Sequence, residues 1–264
     1  MNRPTCERTL VRQARHLSNS YYSMTFGPYS RAGECRPGNF LHVRMPGTEI
    51  YFRRAMSVAG IKPRQREVEI IFKVLGRGTT LLSQFARGDT VDILGPLGVP
   101  FTVPRKSERV IMVAGGVGFP PLFFLATELI RKGFDARRIE YFYGGRSAID
   151  LVERKRIKNL GVNFHPYTDD GTLGGKGLVT PPVERFVEDH RAEKMRIYGC
   201  GPELMLKATD EIGRRFGIPG QLSLEAPMPC GIGICLGCVV PLTAGGYARV
   251  CCDGPVFDIG EVKL

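Results

Sequence analysis

Five of the eight cysteines in this 264-residue chain fall between Cys230 and Cys252. Cys230, Cys235 and Cys238 are spaced C-x4-C-x2-C and are followed by Cys251 and Cys252. This is the spacing of plant-type 2Fe-2S ligation, in which four thiolates hold two irons. The thiolates must reach the irons from one side. Gly231, Gly233 and Gly237 let the loop wrap tightly and turn backbone N–H groups toward the sulfurs. Structural zinc is the alternative, but it usually draws on paired C-x2-C knuckles, and only one such pair is present. Iron–sulfur is the reading the spacing favours, with Cys251 and Cys252 both candidates for the last position.

Two other groups of residues have the chemistry to bind phosphate. Gly115, Gly116, Val117 and Gly118 follow an apolar run and precede a helical pattern, the context in which glycines let a pyrophosphate approach backbone N–H groups at a helix start. The alternative is the tight strand-to-helix turn of any α/β domain, and the strict G-x-G-x-x-G string is absent. Arg54 and Ser57 close to a strand end, with Gly76, Arg77, Gly78 and Thr79 in a later turn, offer a guanidinium, a hydroxyl and glycine amides to a phosphate. By spacing alone these read as ordinary surface turn residues. There is no H-E-x-x-H, no G-x-S-x-G, and Gly174-Gly-Lys-Gly177 does not complete a P-loop. The four histidines share no metal spacing, and His42 and His165 read as half-exposed strand residues.

The elements that position these groups divide the chain into three. From Tyr22 to Leu94 the pattern has period two, as in Val68, Ile70, Phe72 and Val74, which predicts a small antiparallel β-barrel closed by the turn from Gly95 to Pro100. At Val110–Ala114 the chain becomes continuously apolar, as in a parallel strand covered on both faces. Leu122, Leu125, Ala126, Leu129 and Ile130 then mark a helix that Gly133 ends. Further strands are predicted at Ile139–Tyr143, Val162–Tyr167 and Met195–Tyr198. Thr180 and Pro181 start a helix, and Gly217 stops one. Alternating strands and helices predict a doubly wound α/β domain. The resulting division is multidomain β plus α/β: residues 1–104, 105–218, and a cysteine-rich module over 219–264 too small to carry a core without an inorganic staple.

Composition excludes other classes. With 43% hydrophobic and 24% charged residues the chain buries ordinary cores and is not a disordered tail. The net charge of +11 is scattered, and its densest group, Arg154 to Lys158, reads as a solvated helix face. Neither a nucleic acid nor a membrane is expected as a partner. The stretch from Met1 to His16 is not a secretory signal, and the longest apolar run, Val110–Ala126, is broken by glycine and proline. Clustered cysteines without an export signal predict reduced thiols and a cytoplasmic protein.

Together these motifs resemble the electron-transfer subunit of NAD-dependent dihydroorotate dehydrogenase, within the ferredoxin-NADP reductase superfamily, over nearly the whole chain. Arg54-Ala55-Met56-Ser57 resembles the family's R-P-x-S flavin motif, and Lys73 to Leu82, carrying Gly78 and Thr79, its second flavin segment. Gly115-Gly-Val-Gly-Phe-Pro-Pro-Leu122 and Tyr198-Gly-Cys-Gly-Pro202 resemble the two nicotinamide motifs. The Cys230–Cys238 run with Val250-Cys-Cys-Asp-Gly-Pro-Val-Phe257 resembles the iron–sulfur signature.

The resemblance implies FAD in the barrel, held by Arg54, Ala55, Met56, Ser57, Ile71, Phe72, Lys73, Gly78 and Thr79. It implies NAD(H) on the α/β domain at Gly115, Gly116, Gly118, Gly199, Gly201 and Pro202. The 2Fe-2S ligands it implies are Cys230, Cys235, Cys238 and Cys251, since the family pattern V-C-x-(D/E)-G-P leaves Cys252 in a variable position. Cys200 would then lie at the nicotinamide–flavin contact and shape hydride geometry; a merely buried thiol is the alternative. The partner implied is an FMN-containing dihydroorotate dehydrogenase catalytic subunit, two copies of each chain forming a heterotetramer. Ala55 departs from the family proline, so the turn presenting Arg54 is less rigid. Arg146 and Ser147 follow the strand that ends near the adenosine ribose, where an arginine also suits a 2'-phosphate; the resemblance favours NAD over NADP. Competing readings are the similar subunit of a sulfhydrogenase or ferredoxin-NADP oxidoreductase and, from another class, a zinc-stapled nucleic-acid-binding protein, which leaves the barrel and nucleotide domain unexplained.

Overall fold

A computed structural model describes residues 4–264. Six strands, β1 (Thr5–Ser18), β2 (Tyr21–Gly27), β3 (Phe40–Arg44), β4 (Arg54–Lys62), β5 (Glu67–Lys73) and β6 (Thr90–Leu97), close into an antiparallel barrel in the order β1-β2-β5-β4-β3-β6. Alternate side chains fill it, among them Val11, Met24, Phe26, Leu41, Val43, Val58, Ile70 and Ile93. The first strand lies outside the expected period-two stretch. Arg8 and Arg12 lie on the outer face of β1, Arg15 is half-buried against Glu69 and Glu153, and Val11 is the strand's most deeply buried side chain. Between β5 and β6 the expected turn residues Arg77–Thr79 are wound into a short helix, α1 (Arg77–Ser83).

The second unit is built on a seven-stranded sheet. It runs through β7 (Arg109–Gly115), α2 (Phe119–Arg131), β8 (Ile139–Gly145), α3 (Arg154–Lys158), β9 (Asn163–Thr168), β10 (Gly175–Lys176), α4 (Thr180–Asp189), β11 (Met195–Cys200) and α5 (Glu203–Phe216). The apolar run of β7 is buried along almost its whole length because one core lies on each face of the sheet. Pro120 and Pro121 occupy the first turn of α2, where no amide hydrogen is needed. Gly217 takes the left-handed cap of α5, donating to the carbonyls of Arg214 and Gly213.

The chain then returns to the same sheet. β12 (Gly220–Ser223) pairs parallel with β11. After an excursion containing β13 (Val239–Pro241) and β14 (Tyr247–Arg249), β15 (Val256–Asp258) pairs antiparallel with β12 at the sheet edge. The expected division after residue 218 therefore falls inside a continuous sheet, and the cysteine-bearing segment is a loop thrown out between its last two strands. That loop shares a core with both larger units: Cys238, Val250 and Cys251 pack with Phe40 and Leu97 of the barrel and with Leu206, Leu222 and Phe257 of the α/β unit. A segment of this size need not supply its own hydrophobic core.

Barrel and α/β unit are clamped together. Phe124 of α2 is part of the barrel core, and Arg156 makes two hydrogen bonds to Glu69 on β5, at 2.8 and 2.9 Å. This corrects the expectation that Arg154–Lys158 is a solvated face. Lys155 and Lys158 are exposed, but Arg156 is half-buried in the joint and stacks over Phe123 at 4.7 Å. Among the described residues, no helix is long and apolar enough to cross a membrane.

Candidate functional site

Two cavities meet where the barrel faces the carboxyl ends of the parallel strands, the usual ligand position in open α/β sheets. The first, about 250 Å³, is lined by Phe40, Arg54, Ala55, Met56, Ser57, Ile71, Phe72, Lys73 and Thr79 from the barrel, with Cys200, Ser223, Glu225 and Met228 opposite. The expected flavin residues thus come together, except Gly78. That glycine packs under Arg54 instead: a Cβ there would stand 2.7 Å from Arg54 Nη2 and 2.8 Å from its Cζ. Arg54 lies across it and donates to the Phe52 carbonyl at 2.8 Å. No carboxylate pairs with that guanidinium among the described residues, whereas Arg53 is held by Asp92 at 2.9 Å. Thr79 is occupied by its own turn, accepting from the Leu75 and Gly76 amides at 2.9 and 3.2 Å. Lys73 pairs with Asp150 at 3.1 Å, so it bridges the two units at the cavity floor.

The second cavity, about 720 Å³, is lined by Gly115, Gly116, Gly144, Gly145, Arg146, Thr180, Gly201 and Pro202. Gly116 has φ +51°, a left-handed turn conformation that directs the chain from β7 into α2. Gly118 and Gly199 do not line it. A Cβ at Gly118 would lie 2.6 Å from Gly201 Cα, so this glycine lets the two nicotinamide-type turns touch backbone to backbone. A Cβ at Gly199 would meet Leu222 at 2.6 Å, so that one serves sheet packing. Arg146 does lie on the cavity wall; Ser147 is absent from the lining.

Lys73, Val117 and Glu225 line both cavities, so the two adjoin there. Cys200 sits beside that junction, 2% exposed. Burial, with help from the nearby Glu225, pushes its thiol well above the ordinary range, so it is a neutral, compact side chain and no nucleophile. Glu225 is itself pushed up by burial. It was not legible as a site residue, because it carries no motif spacing and simply precedes the cysteine loop. Tyr21 and Asp150, also at the junction, gave no signal either.

The cysteine loop opens beside the first cavity through Met228. Among the described residues, no three or more His, Cys, Asp or Glu side chains are grouped as one metal ion would need. The thiols stand instead in two groups: Cys230 interacts with Cys235, and Cys251 with both Cys238 and Cys252. A two-iron centre takes two thiolates per iron, and this arrangement has that donor set. At Cys230 the loop favours thiolate, whereas burial and the neighbouring thiols push Cys251 up. Burial opposes charge on Cys230, yet the amides of Ile232, Cys235 and Ile234 outweigh it and bring the thiol down to about 6. The Gly237 amide points at Cys235 Sγ from 3.4 Å. Cys252 Sγ lies 3.7 Å from Cys251 Sγ, but Cys252 is half-buried against Gly233 while Cys251 is enclosed.

His42 differs from expectation. It is not half-exposed but fully buried on β3, and burial with Arg53 nearby lowers its imidazole to about 4. Gly231 of the cysteine loop packs against its ring, a contact no local pattern in β3 announces. His165 is half-buried on β9 and bonded to Glu140 at 2.8 Å.

Comparison with known proteins agrees with this geometry. Residues 225–263 match the model of the iron-sulfur cluster binding domain of dihydroorotate dehydrogenase B, and residues 112–211 match the oxidoreductase NAD-binding domain. The chain is 36% identical over 263 residues to the dihydroorotate dehydrogenase B (NAD(+)) electron transfer subunit of Shouchella clausii, covering 97% of each chain. It is 36% identical to the Bacillus caldolyticus subunit of the same name, covering 98% of each. Among solved structures it resembles an NADH-dependent reduced ferredoxin-NADP oxidoreductase, with a TM-score of 0.85 at 29% identity over 97% of this chain and 89% of that one. A ferredoxin NADP+ reductase from Neisseria gonorrhoeae shares the fold, with a TM-score of 0.67 at 18% identity over 80% of this chain and 92% of that one.

Proposed function

The chain belongs to the family of dihydroorotate dehydrogenase B electron transfer subunits, and on that premise we propose that it carries electrons from dihydroorotate oxidation on a separate subunit through a 2Fe-2S centre and FAD to NAD+. The observation that carries this reading is the adjacency of the sites: the two cavities share Lys73, Val117 and Glu225, and the cysteine loop adjoins the first of them. Bound FAD supplies the exchange between two-electron hydride chemistry and one-electron transfer.

The chain's own residues bind and orient. Arg54 and Ser57 hold the flavin phosphates while the β4 and β5 strands at Ala55, Met56, Ile71 and Phe72 form the wall, and Gly78 seats the Arg54 guanidinium. Gly115, Gly116, Gly201 and Pro202 receive NAD(H), with Gly118 and Gly199 closing the turns behind them. Cys200 keeps its thiol neutral and fills the junction, setting the approach of nicotinamide to flavin. Cys230, Cys235, Cys238 and Cys251 would hold the two irons, with Cys252 outside the set. The functional units are 1–104 for FAD, 105–218 for NAD and 219–264 for the cluster, the last anchored to the NAD sheet by β12 and β15.

Taking a proton from a dihydropyrimidine carbon is not assigned to either cavity: burial raises the Glu225 carboxyl, Asp150 pairs with Lys73 at 3.1 Å, and the Cys200 thiol is neutral. That chemistry belongs to a partner that bears FMN, in a heterotetramer of two copies of each chain. Ile232, Ile234, Leu236 and Val239 stand 42 to 76% exposed on the cysteine loop and its flank, and we assign this apolar tip to the docking surface. Eight cysteines with no disulfide among them suit the reducing cytoplasm. A second reading, as the corresponding subunit of a ferredoxin-NADP oxidoreductase, is favoured by the 0.85 TM-score to such a protein; the partner separates the two. The test is the purified chain loaded with FAD and iron: it reduces an artificial acceptor dye from NADH and does not oxidise dihydroorotate. Failure to accept electrons from NADH overturns the reading.

A further inference from the structure

Only three buried side-chain nitrogen or oxygen atoms lack a hydrogen-bond partner among the described residues, and two of them are the ring nitrogens of one residue, His42. A buried polar group without a partner costs about 1 to 3 kcal/mol, so a histidine kept where an apolar side chain would fit needs a reason. Its placement supplies one. Along β3, Leu41 and Val43 point into the barrel, while Phe40 and His42 point outward. On that outer face Phe40 is paired with Ser57 and His42 with Ala55, and Phe40, Ser57 and Ala55 all line the first cavity. The cysteine loop packs against the imidazole: a Cβ at Gly231, next to Cys230, would stand 2.7 Å from His42 Nδ1 and 2.9 Å from Nε2. The ring therefore packs on the backbone of the loop beside Cys230, on the same outer face as the β3 and β4 residues that line the flavin cavity. A neutral imidazole carries one N–H donor.

We propose that His42 donates a hydrogen bond to a sulfur of the 2Fe-2S centre from beneath the loop, and thereby makes the centre easier to reduce. The proposal rests on the iron–sulfur assignment above. Reduction adds negative charge to the sulfurs, a donor hydrogen bond stabilises that charge more than it stabilises the oxidised state, and the reduction potential rises. The role is one of positioning and tuning, with no covalent step. It also gives a purpose to Gly231 beyond its φ of +70°: any side chain there would displace the ring.

The experiment uses the FAD- and iron-loaded chain as wild type, His42→Leu and His42→Gln. Iron content and the visible spectrum are read first, then a redox titration followed by the EPR signal of the reduced centre. Poised at the wild-type midpoint, His42→Leu is expected to show an approximately tenfold lower reduced-to-oxidised ratio, ~59 mV for one electron. His42→Gln, which keeps an N–H donor, recovers part of the shift, and the flavin midpoint stays in place. An iron-loaded His42→Leu with an unchanged centre, or with only the flavin midpoint moved, overturns the proposal. Should neither variant assemble, pulsed EPR on wild-type protein containing histidine labelled with 15N in the ring alone decides. The other three histidines sit on β1, on β9 and at the end of α4, so ring coupling supports the His42 bond and its absence overturns it. A wild-type chain without iron overturns the iron–sulfur assignment itself.

Discussion

Neighbouring arginines at the mouth of the flavin cavity should separate binding from stability. Arg53 is a fold residue: its guanidinium pairs with the Asp92 carboxylate at 2.9 Å and donates to the Asp92 carbonyl at 3.0 Å, with both side chains under one-fifth exposed. Removing it strands Asp92, whose carboxyl is held low by Cys6 and Arg53 against the opposing effect of burial. We expect Arg53→Ala to cost about 1 to 2 kcal/mol of stability, or roughly 2 to 8 °C in Tm for a chain of this size. Arg54 has only the carbonyls of Phe52 and Arg53 as partners, both solvent-replaceable, so Arg54→Ala should leave Tm of the flavin-free protein within about a degree. A charge-assisted hydrogen bond to phosphate contributes about 1.5 to 3 kcal/mol, which converts to an increase on the order of 10- to 100-fold in the Kd for FAD. Quenching of flavin fluorescence on titrating flavin-free protein gives the Kd, and thermal unfolding gives the stability. Equal losses of affinity in both variants, or a Tm loss confined to Arg54→Ala, would refute the assignment.

Cys235→Ser should abolish the iron–sulfur centre while Cys252→Ser retains it, read as iron per chain; loss of iron in Cys252→Ser with retention in Cys251→Ser reverses the ligand choice. Glu225 binds its proton more tightly folded than unfolded, because burial raises its carboxyl. Stability from that proton is complete below the ordinary value of 4.5 and is lost as pH rises through the folded value. The Tm of Glu225→Gln should therefore gain on wild type as pH rises from there toward neutrality, and parallel Tm profiles would show that the carboxyl is solvated.

Much of this site is written in local pattern. The unbroken apolar run of β7, the period-two strands and the C-x4-C-x2-C spacing each reflect interactions within a few residues, so the barrel, the parallel sheet and the cluster loop were all legible. What was not legible depends on long-range contact. Glu225 becomes a site residue only because β12 joins β11 and aims the following turn into the junction. His42 looks like an ordinary strand residue until the cysteine loop, nearly two hundred positions later in the chain, folds over it. Arg156 reads as a solvent-facing charge until the α/β unit docks and brings it to Glu69. The boundary after residue 218 followed the change in composition, whereas hydrogen bonding carries the sheet on through β12 and β15.

The division of labour between this chain and its partner is the central claim, and reconstitution tests it most directly. The FAD- and iron-loaded chain is mixed with an FMN-bearing dihydroorotate dehydrogenase catalytic subunit, and dihydroorotate-dependent formation of NADH is followed at its near-ultraviolet absorbance. The account predicts NADH formation by the mixture, none by this chain alone, and loss of the mixed activity in Cys235→Ser. NADH formation from dihydroorotate by this chain alone, or an undiminished rate in the mixture with Cys235→Ser, would contradict it.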